Sequence, residues 1–222
     1  MQMKRQSGFT LVEIAIVLVI IGLLLGGILK GQEMIVQARI KNVINDLNGI
    51  TAAYASYQDR YRAIPGDDAG AQARWTLGAP AAPSTPGDGT VDGAYNAPTA
   101  ATEPESRLFW WHLRQAGFIP GPTTPAPQAS AQPTNAVSGM VGVQSGVGVA
   151  TMGMAGLIVC TANIPDKIAI AVDTQTDDQN ALTGSLRAQL QAASNPVIAP
   201  GGPGPLNYAE TGANQYLLCK GV

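Results

Sequence analysis

Residues 9–29 read FTLVEIAIVLVIIGLLLGGIL, an apolar run in which Glu13 is the one charged residue. An α-helix rises about 1.5 Å per residue, so the run would span about 31 Å, close to the hydrocarbon thickness of a bilayer. It follows a short polar leader, MQMKRQSG (residues 1–8), whose two cations are Lys4 and Arg5. The sequence therefore predicts a membrane-spanning helix with a cytoplasmic N-terminus, because positive charges beside a span are retained on that side.

Two ordinary explanations of such a segment are a secretory signal peptide and a plain single-pass anchor. A signal peptide ends in a small-x-small cleavage site, whereas this run is followed by Lys30-Gly-Gln-Glu33. A plain anchor gains nothing from a carboxylate inside the bilayer, where an unpaired charge is costly. Glu13 therefore requires a partner.

The combination of Lys4-Arg5, Gly8-Phe9 and Glu13 with the aliphatic run resembles the N-terminus of type IV pilins and pseudopilins. The resemblance implies that a prepilin peptidase cuts between Gly8 and Phe9 and methylates the new N-terminal Phe9. It also implies that Glu13 pairs with the N-terminal ammonium of a neighbouring subunit, inside the core of a filament. An ion pair in such a core would satisfy a charge that lipid penalises.

A second helical pattern continues from the apolar run. Apolar or aromatic residues recur at alternating steps of four and three, which place them on one face of a helix: Val36, Ile40, Val43, Leu47, Ile50, Tyr54, Tyr57 and Tyr61. Pro65-Gly66 ends the pattern. We therefore expect one helix of about 80 Å from Phe9 to Arg62, with the stripe of residues 30–62 packed on the chain's own head. A coiled coil is the alternative explanation of the stripe.

The remaining residues, 63–222, predict a head with an antiparallel β-sheet. Short β-branched runs at residues 136–150 and 156–163 indicate a hairpin, and residues 215–219 indicate a final strand. Thr102 to Glu105 has the pattern of a capping box before a helix that stops at Gly117, and Asn163 has the position of an N-cap. The Pro- and Ala-rich residues 79–105 and 117–135 are expected to be exposed loops.

The predicted fold class is therefore α+β, with a long N-terminal helix packed on a C-terminal head, as in pilins. Four segments are expected. They are a leader (residues 1–8), a membrane-spanning and filament-core helix (9–29), an amphipathic helix that continues into the head (30–62) and a periplasmic or extracellular head (63–222).

The chain has two cysteines, Cys160 and Cys219, and one histidine, His112. These numbers exclude a zinc finger or another His/Cys metal cluster. A head that crosses to the periplasm meets an oxidising compartment, so a disulfide between Cys160 and Cys219 is expected. The resemblance adds the same expectation, because type IV pilins have a C-terminal disulfide loop. Two free buried thiols are the alternative.

No residue pattern indicates catalysis or a cofactor. His112 has no nucleophile or carboxylate arranged around it in sequence and is expected to be structural. The adjacent Phe109-Trp110-Trp111 is expected to pack in the core rather than to stack on sugar or nucleic acid. The formal net charge of −2 gives no broad basic surface for nucleic acid.

Acidic groups in three places raise the question of a metal. Asp173, Asp177 and Asp178 lie close together in sequence, and carboxylate oxygens are ligands that Ca²⁺ prefers. The bidentate glutamate and the spacing of an EF-hand are absent there, so a solvated acidic turn is the preferred explanation. The same explanation is preferred for Asp67-Asp68 and for the loop that contains Asp88 and Asp92, and no metal is predicted.

The resemblance implies a structural subunit without catalytic activity, held in the bacterial inner membrane and then assembled into an extracellular pilus or a periplasmic pseudopilus. The implied partners are other copies of the chain and other pilins, a prepilin peptidase, an inner-membrane platform protein, an assembly ATPase and, before assembly, membrane lipid. A minor pilin or a type II secretion pseudopilin is the alternative within the family. A membrane-tethered adhesin or binding module is the alternative of a different class.

Overall fold

The computed structural model describes residues 10–76, 85–145, 151–199 and 207–222. The elements, in chain order, are α1 (Leu11–Tyr61), α2 (Ala71–Arg74), α3 (Glu105–Gln115), α4 (Ala126–Ala129), β1 (Val141–Ser145), β2 (Leu157–Pro165), α5 (Asp166–Thr176), β3 (Leu186–Leu190) and β4 (Gln215–Gly221). The chain divides into two compact units, Met1–Ala38 and Arg39–Val222. A long N-terminal helix and a C-terminal antiparallel sheet confirm the predicted α+β class.

Helix α1 is continuous across its glycines, Gly22, Gly26 and Gly27. Glycine in a helix interior costs about 1 kcal/mol relative to alanine. A Cβ added at any of these three positions would meet no atom within 4 Å, so no contact within the described chain requires glycine there. The aliphatic residues on either side keep the helical pattern through this stretch.

From Ile40 onward, the predicted stripe is buried except at Tyr54 and Tyr61, which are half-buried. The buried residues of α1 follow helical steps through the second unit: Ile40, Val43, Leu47, Ile50, Ala53 and Tyr57. The ring of Tyr54 stacks on Phe109, and the ring of Tyr57 stacks on His112, with centroid separations of 6.4 and 6.0 Å. The stripe is therefore the face on which this part of α1 packs against the head, as predicted, and the coiled-coil alternative is not needed to explain it.

The sheet has four antiparallel strands in the order β1-β2-β4-β3. The predicted hairpin is confirmed as β1 and β2, which pair from Val141↔Thr161 to Ser145↔Leu157. Strand β4, predicted from the C-terminal residues, pairs with both β2 and β3. Strand β3 is not predicted from the sequence, because its residues LRAQL include neither a β-branched nor an aromatic side chain.

The two predicted helix N-terminal caps are wrong. Asn163 lies inside β2 with a φ of +59°, where the pairing with β4 changes register, and α5 begins after Pro165 instead. Helix α3 begins after Pro104 without a side-chain cap. The carboxylate of Glu105 accepts a hydrogen bond from the backbone N–H of Asp92 at 2.9 Å, a contact across the fold that a local pattern cannot show.

The predicted C-terminal stop of α3 is confirmed. The N–H of Phe118 donates to the carbonyl of Leu113, and the N–H of Gly117 donates to the carbonyl of Arg114, each at 3.0 Å. Gly117 has a φ of +78°, and these two bonds form a Schellman motif. The helix contacts β1 and α4, and residues 105–114 are all buried.

The prediction that residues 79–105 form an exposed loop is wrong for five described residues, of which Glu103 and Glu105 are acidic and three are apolar. Val91, Tyr95 and Ala97 are buried, and Tyr95 packs in one core cluster with the disulfide cysteines. The backbone N–H of Tyr95 donates to the side-chain oxygen of Gln144 in β1 at 2.8 Å. Residues 77–84, the Pro- and Ala-rich beginning of this stretch, lie outside the described residues.

Candidate functional site

The N-terminal helix has an apolar surface that the other described residues do not cover. Sixteen of its large apolar side chains before Ala38 are exposed, with Leu11 at 89% and Leu23 at 73%. Fourteen lie within the predicted span and two, Met34 and Ile35, lie beyond it: Leu11, Val12, Ile14, Ile16, Val17, Leu18, Val19, Ile20, Ile21, Leu23, Leu24, Leu25, Ile28, Leu29, Met34 and Ile35. Helix α1 is long and apolar enough to cross a membrane, a criterion that a signal sequence also meets. An apolar surface of this extent requires lipid or other protein around it.

Glu13 lies in the first turn of α1 and is bonded to Thr10. Its Oε2 atom accepts hydrogen bonds from the backbone N–H and the hydroxyl of Thr10, each at 2.8 Å. In return, the backbone N–H of Glu13 donates to the hydroxyl oxygen of Thr10 at 3.3 Å. This reciprocal pair is a capping box.

This capping box is not among the features predicted from the sequence, although Thr10-Leu-Val-Glu13 has its spacing. Inside the described chain, the carboxylate of Glu13 therefore has a local partner at the helix N-terminus, where negative charge is favourable. Gly8 and Phe9, the predicted cleavage and methylation residues, lie outside the described residues. Their roles and the intersubunit pairing of Glu13 stay predictions.

Cys160 and Cys219 form a disulfide, as expected, and both are fully buried. They lie directly opposite each other on β2 and β4, so the bridge joins two strands that are also hydrogen-bonded. They are packed among Tyr95, Ile158 and Leu217. The bridge connects the C-terminal strand to the centre of the sheet.

His112 lies in an aromatic cluster between α1 and α3, within the second unit. Its Nδ1 atom accepts a hydrogen bond from the backbone N–H of Gly66 at 2.7 Å. Its ring stacks on Tyr57 and contacts Trp75 and Trp111. Burial lowers the pKa of His112 to about 3, so the ring is neutral in the folded protein.

This environment is structural, as predicted. The charged groups that face His112 are Asp68 and Arg74, which form an ion pair with each other. Tyr57 also donates its hydroxyl proton to Asp68 at 2.7 Å. No nucleophile contacts the imidazole among the described residues, so the arrangement holds α1 against α3 and the turn at Gly66.

We expect His112 to make the folded protein less stable in acid. The unfolded chain binds a proton on His112 below about pH 6.5 and the folded chain does not, so stability that is present above pH 6.5 is lost as the pH falls towards 3. His112→Gln keeps an acceptor for Gly66 and removes the titration. Between pH 7 and pH 5, the unfolding free energy of the wild type should fall by about 2 kcal/mol more than that of His112→Gln. Urea unfolding of both proteins in detergent measures this, and parallel pH profiles would contradict the prediction.

The prediction of solvated acidic turns is wrong for three of the aspartates. Asp67 and Asp68 are 4% and 5% exposed, and Asp173 is fully buried. Asp68 pairs with Arg74, and the carboxylate of Asp173 accepts bonds from the Tyr208 hydroxyl and the Gln179 N–H. They are buried because each has a partner that no local pattern indicates.

Two groups of three carboxylates are close enough to hold a cation. In each group, one oxygen from each residue lies within 4.8 Å of the others: Asp67, Asp88 and Glu105 in the first group, and Asp173, Asp177 and Asp178 in the second. In the first group, burial, together with the negative charges of Asp67, Asp92 and Asp88, raises the pKa of Glu105 to about 7. In the second, burial raises the pKa of Asp173.

Residues 3–29 match a family model described as the prokaryotic N-terminal methylation motif. The match includes Lys4-Arg5, Gly8-Phe9 and Glu13, and it confirms the motif that these residues predict. It ends at Leu29, so the head lies outside it. No curated protein and no solved structure matches the chain.

Proposed function

We propose that the chain is a structural subunit of a type IV pilus-like filament, because residues 3–29 carry the N-terminal signal motif of type IV pilins and pseudopilins. The match supports membership of that family, whose members are structural proteins. On this proposal the chain has no catalytic activity of its own. Its N-terminal helix is held in the membrane as a reserve and is then transferred into the filament core.

The exposed apolar side chains of α1 support this proposal. Leucine, isoleucine and valine lie on all sides of the helix between Leu11 and Leu29, so no single face is polar. A helix that is apolar all round is stable in lipid or in the middle of a bundle. A filament core made of such helices supplies the second environment, and the transfer between the two exposes little apolar surface to water.

Glu13 supports a filament rather than a plain anchor. In lipid, the capping box gives its carboxylate a local partner, but the negative charge itself is not neutralised. Cleavage after Gly8 would create a new ammonium at Phe9 on every subunit. An ion pair between that ammonium and Glu13 of a neighbouring copy neutralises both charges in a region of low dielectric constant.

The proposed topology places the leader in the cytoplasm and the head in the periplasm. Lys4 and Arg5 favour the first, and the Cys160–Cys219 disulfide favours the second, because disulfides persist in oxidising compartments. The motif implies a prepilin peptidase and other pilins as partners. An inner-membrane platform protein and an assembly ATPase complete the proposal, since the sequence has no P-loop with which to hydrolyse ATP.

A minor pilin or a type II secretion pseudopilin is the second candidate. Cleavage after Gly8 would leave 214 of the 222 residues, a long chain for a pilin with a short leader. The two candidates differ in where the protein lies. A main subunit is present along the whole filament, whereas a minor subunit is confined to its tip or to a short periplasmic assembly.

Processing provides the direct test. We expect the mature protein to begin at Phe9 and to carry one added methyl group on its N-terminal nitrogen. Mass spectrometry of the protein from sheared filaments and from membranes measures both, and immunogold labelling of the filaments separates the two candidates. Gly8→Leu, which blocks the cleavage site and leaves Glu13 unchanged, is the control and should keep the full leader. An uncleaved Met1, or a cut beyond Leu29, would refute the proposal.

A further inference from the structure

Three parts of the chain bring carboxylates together beside the turn that follows α1. Asp67 comes from that turn, Asp88 from a glycine-rich loop, and Glu105 from the first turn of α3. One oxygen from each lies within 4.8 Å of the other two. Asp67 and Glu105 are buried, whereas Asp88 is exposed, so the group is open to solvent on the side of Asp88.

The backbone of the loop holds two of these carboxylates in place. The carboxylate of Asp67 accepts hydrogen bonds from the N–H groups of Gly87, Asp88 and Gly89, the last at 2.8 Å. Glu105 uses its Oε2 atom to accept the N–H of Asp92 at 2.9 Å. The loop is therefore tied to the turn at one end and to α3 at the other, without any contribution from a cation.

The other oxygen of Glu105 has no partner. Glu105 is 2% exposed, and its Oε1 atom is buried without a hydrogen bond. No described lysine or arginine lies within ion-pair distance of Asp67, Asp88 or Glu105, since nearby Arg107 pairs with Glu103 and Arg74 pairs with Asp68. A buried carboxylate oxygen beside two other carboxylates, with neither a hydrogen-bond donor nor a basic side chain from the described residues, is costly unless something positive binds there.

We propose that Asp67, Asp88 and Glu105 form a Ca²⁺ site in which the unpartnered Oε1 atom of Glu105 is a ligand. The donor set consists of carboxylate oxygen atoms, which are the ligands that Ca²⁺ prefers, and they come from a turn, a loop and the first turn of a helix. Bound Ca²⁺ links the loop to the turn after α1 and to α3. The site stabilises the base of the head, close to where α1 ends.

The loop sequence agrees with this assignment. Residues 88–93 read DGTVDG, which has acidic residues at the first and fifth positions and glycine at the sixth, as in a calcium-binding loop, but Thr90 at the third position instead of Asp or Asn. Gly93 has a φ of +99°, and a Cβ there would lie 2.8 Å from Cβ of Pro104 and 2.9 Å from Oγ of Ser106. The glycine therefore allows the loop to approach the start of α3, where Glu105 contributes its buried carboxylate to the group.

The second carboxylate group, formed by Asp173, Asp177 and Asp178, differs from the first in its hydrogen bonding. Both oxygens of Asp173 accept hydrogen bonds, from the N–H of Gln179 and the hydroxyl of Tyr208. Asp177 accepts the N–H of Leu186 at 2.7 Å. Among the described residues, no buried carboxylate oxygen of that group is without a partner. The two groups thus provide a candidate site and a matched control within one protein.

The test is calcium binding by the full chain in detergent after treatment with a chelator. Titration calorimetry with CaCl₂ should give one site with a dissociation constant of about 10⁻⁴–10⁻³ M, the range of extracellular calcium modules. At ten times that concentration, Ca²⁺ should raise the Tm by about 3–5 °C. MgCl₂, and NaCl at the same ionic strength, should give a smaller shift.

Three variants locate the site. Glu105→Gln and Asp88→Asn should each remove the calcium-dependent rise in Tm, and Asp178→Asn should keep it. Asp88 is exposed and its carboxylate bonds only locally to Thr90, so Asp88→Asn decides the question even if Glu105→Gln does not fold. The proposal is overturned if the wild type gives no heat and no shift, if Mg²⁺ acts as strongly as Ca²⁺, or if Asp178→Asn alone abolishes the effect.

Discussion

Glu13→Val is expected to leave the protein expressed, inserted and cleaved, and to reduce its amount in filaments by about tenfold or more. Insertion continues because valine is more compatible with lipid than a carboxylate. Cleavage continues because Lys4-Arg5 and Gly8-Phe9 are unchanged. Assembly fails because the ammonium of Phe9 on the neighbouring copy loses the charge that would neutralise it in the filament core. Quantitative immunoblots of sheared filaments and of membranes measure the ratio.

The capping box calls for a second variant, because Glu13→Val removes the bond to Thr10 together with the charge. Glutamine also serves at this position of a capping box. Glu13→Gln therefore keeps the cap and removes the charge, and it should be excluded from filaments as strongly as Glu13→Val. Thr10→Ala removes the hydroxyl that bonds Glu13 and keeps the charge, and it should assemble at close to the normal level. Normal assembly of Glu13→Gln would show that the cap, and not the charge, is what filaments require.

Removal of the disulfide is expected to have the largest effect on the stability of the head. The bridge closes a loop between residues 59 positions apart. The loop-entropy model predicts that the double variant Cys160→Ala/Cys219→Ala loses about 4 kcal/mol of unfolding free energy. The hydrogen bonds between β2 and β4 do not depend on the sulfur atoms, so the sheet should still form. Urea unfolding of the double variant and the wild type in detergent gives the difference.

The wild type treated with a reducing agent is the control for this measurement. It should unfold at nearly the same urea concentration as the double variant, because both lack the cross-link and retain the rest of the core. Peptide mapping without reduction should recover one cross-linked pair from the exported protein. Two thiols that react with an alkylating agent in the folded protein, or a loss below about 1 kcal/mol, would contradict the prediction.

The sequence by itself determined the parts of this protein that depend on neighbouring residues. The apolar run of residues 9–29, the alternating steps from Ile40 to Tyr57 and the N-terminal motif are each contained in one continuous segment. Helical periodicity and processing signals are properties of such segments, so they can be predicted without knowledge of any tertiary contact. The β1–β2 hairpin was predicted for the same reason, since its strands are close in sequence.

The N-terminal caps of α1 and α3 show that local spacing is not sufficient to predict a capping box. Thr10 with Glu13 and Thr102 with Glu105 have the same spacing, yet the first pair forms a capping box and the second does not. The difference arises because Glu105 has a donor available from Asp92, 13 residues away in sequence. A side chain takes the partner that the folded chain places within reach, and spacing alone does not reveal which one that is.

Only the tertiary structure decided the partners of the buried polar groups. The Gly66 N–H donates to His112, 46 residues later. The carboxylate of Asp67 accepts hydrogen bonds from the backbone N–H groups of Gly87, Asp88 and Gly89. Burial makes each of these pairings necessary, because an unpaired polar group in the interior is costly. Which residues meet there depends on how α1, α3 and the loop between them pack, and this follows from the whole core rather than from any one segment. The carboxylate group at Glu105 could therefore be found only in the folded protein.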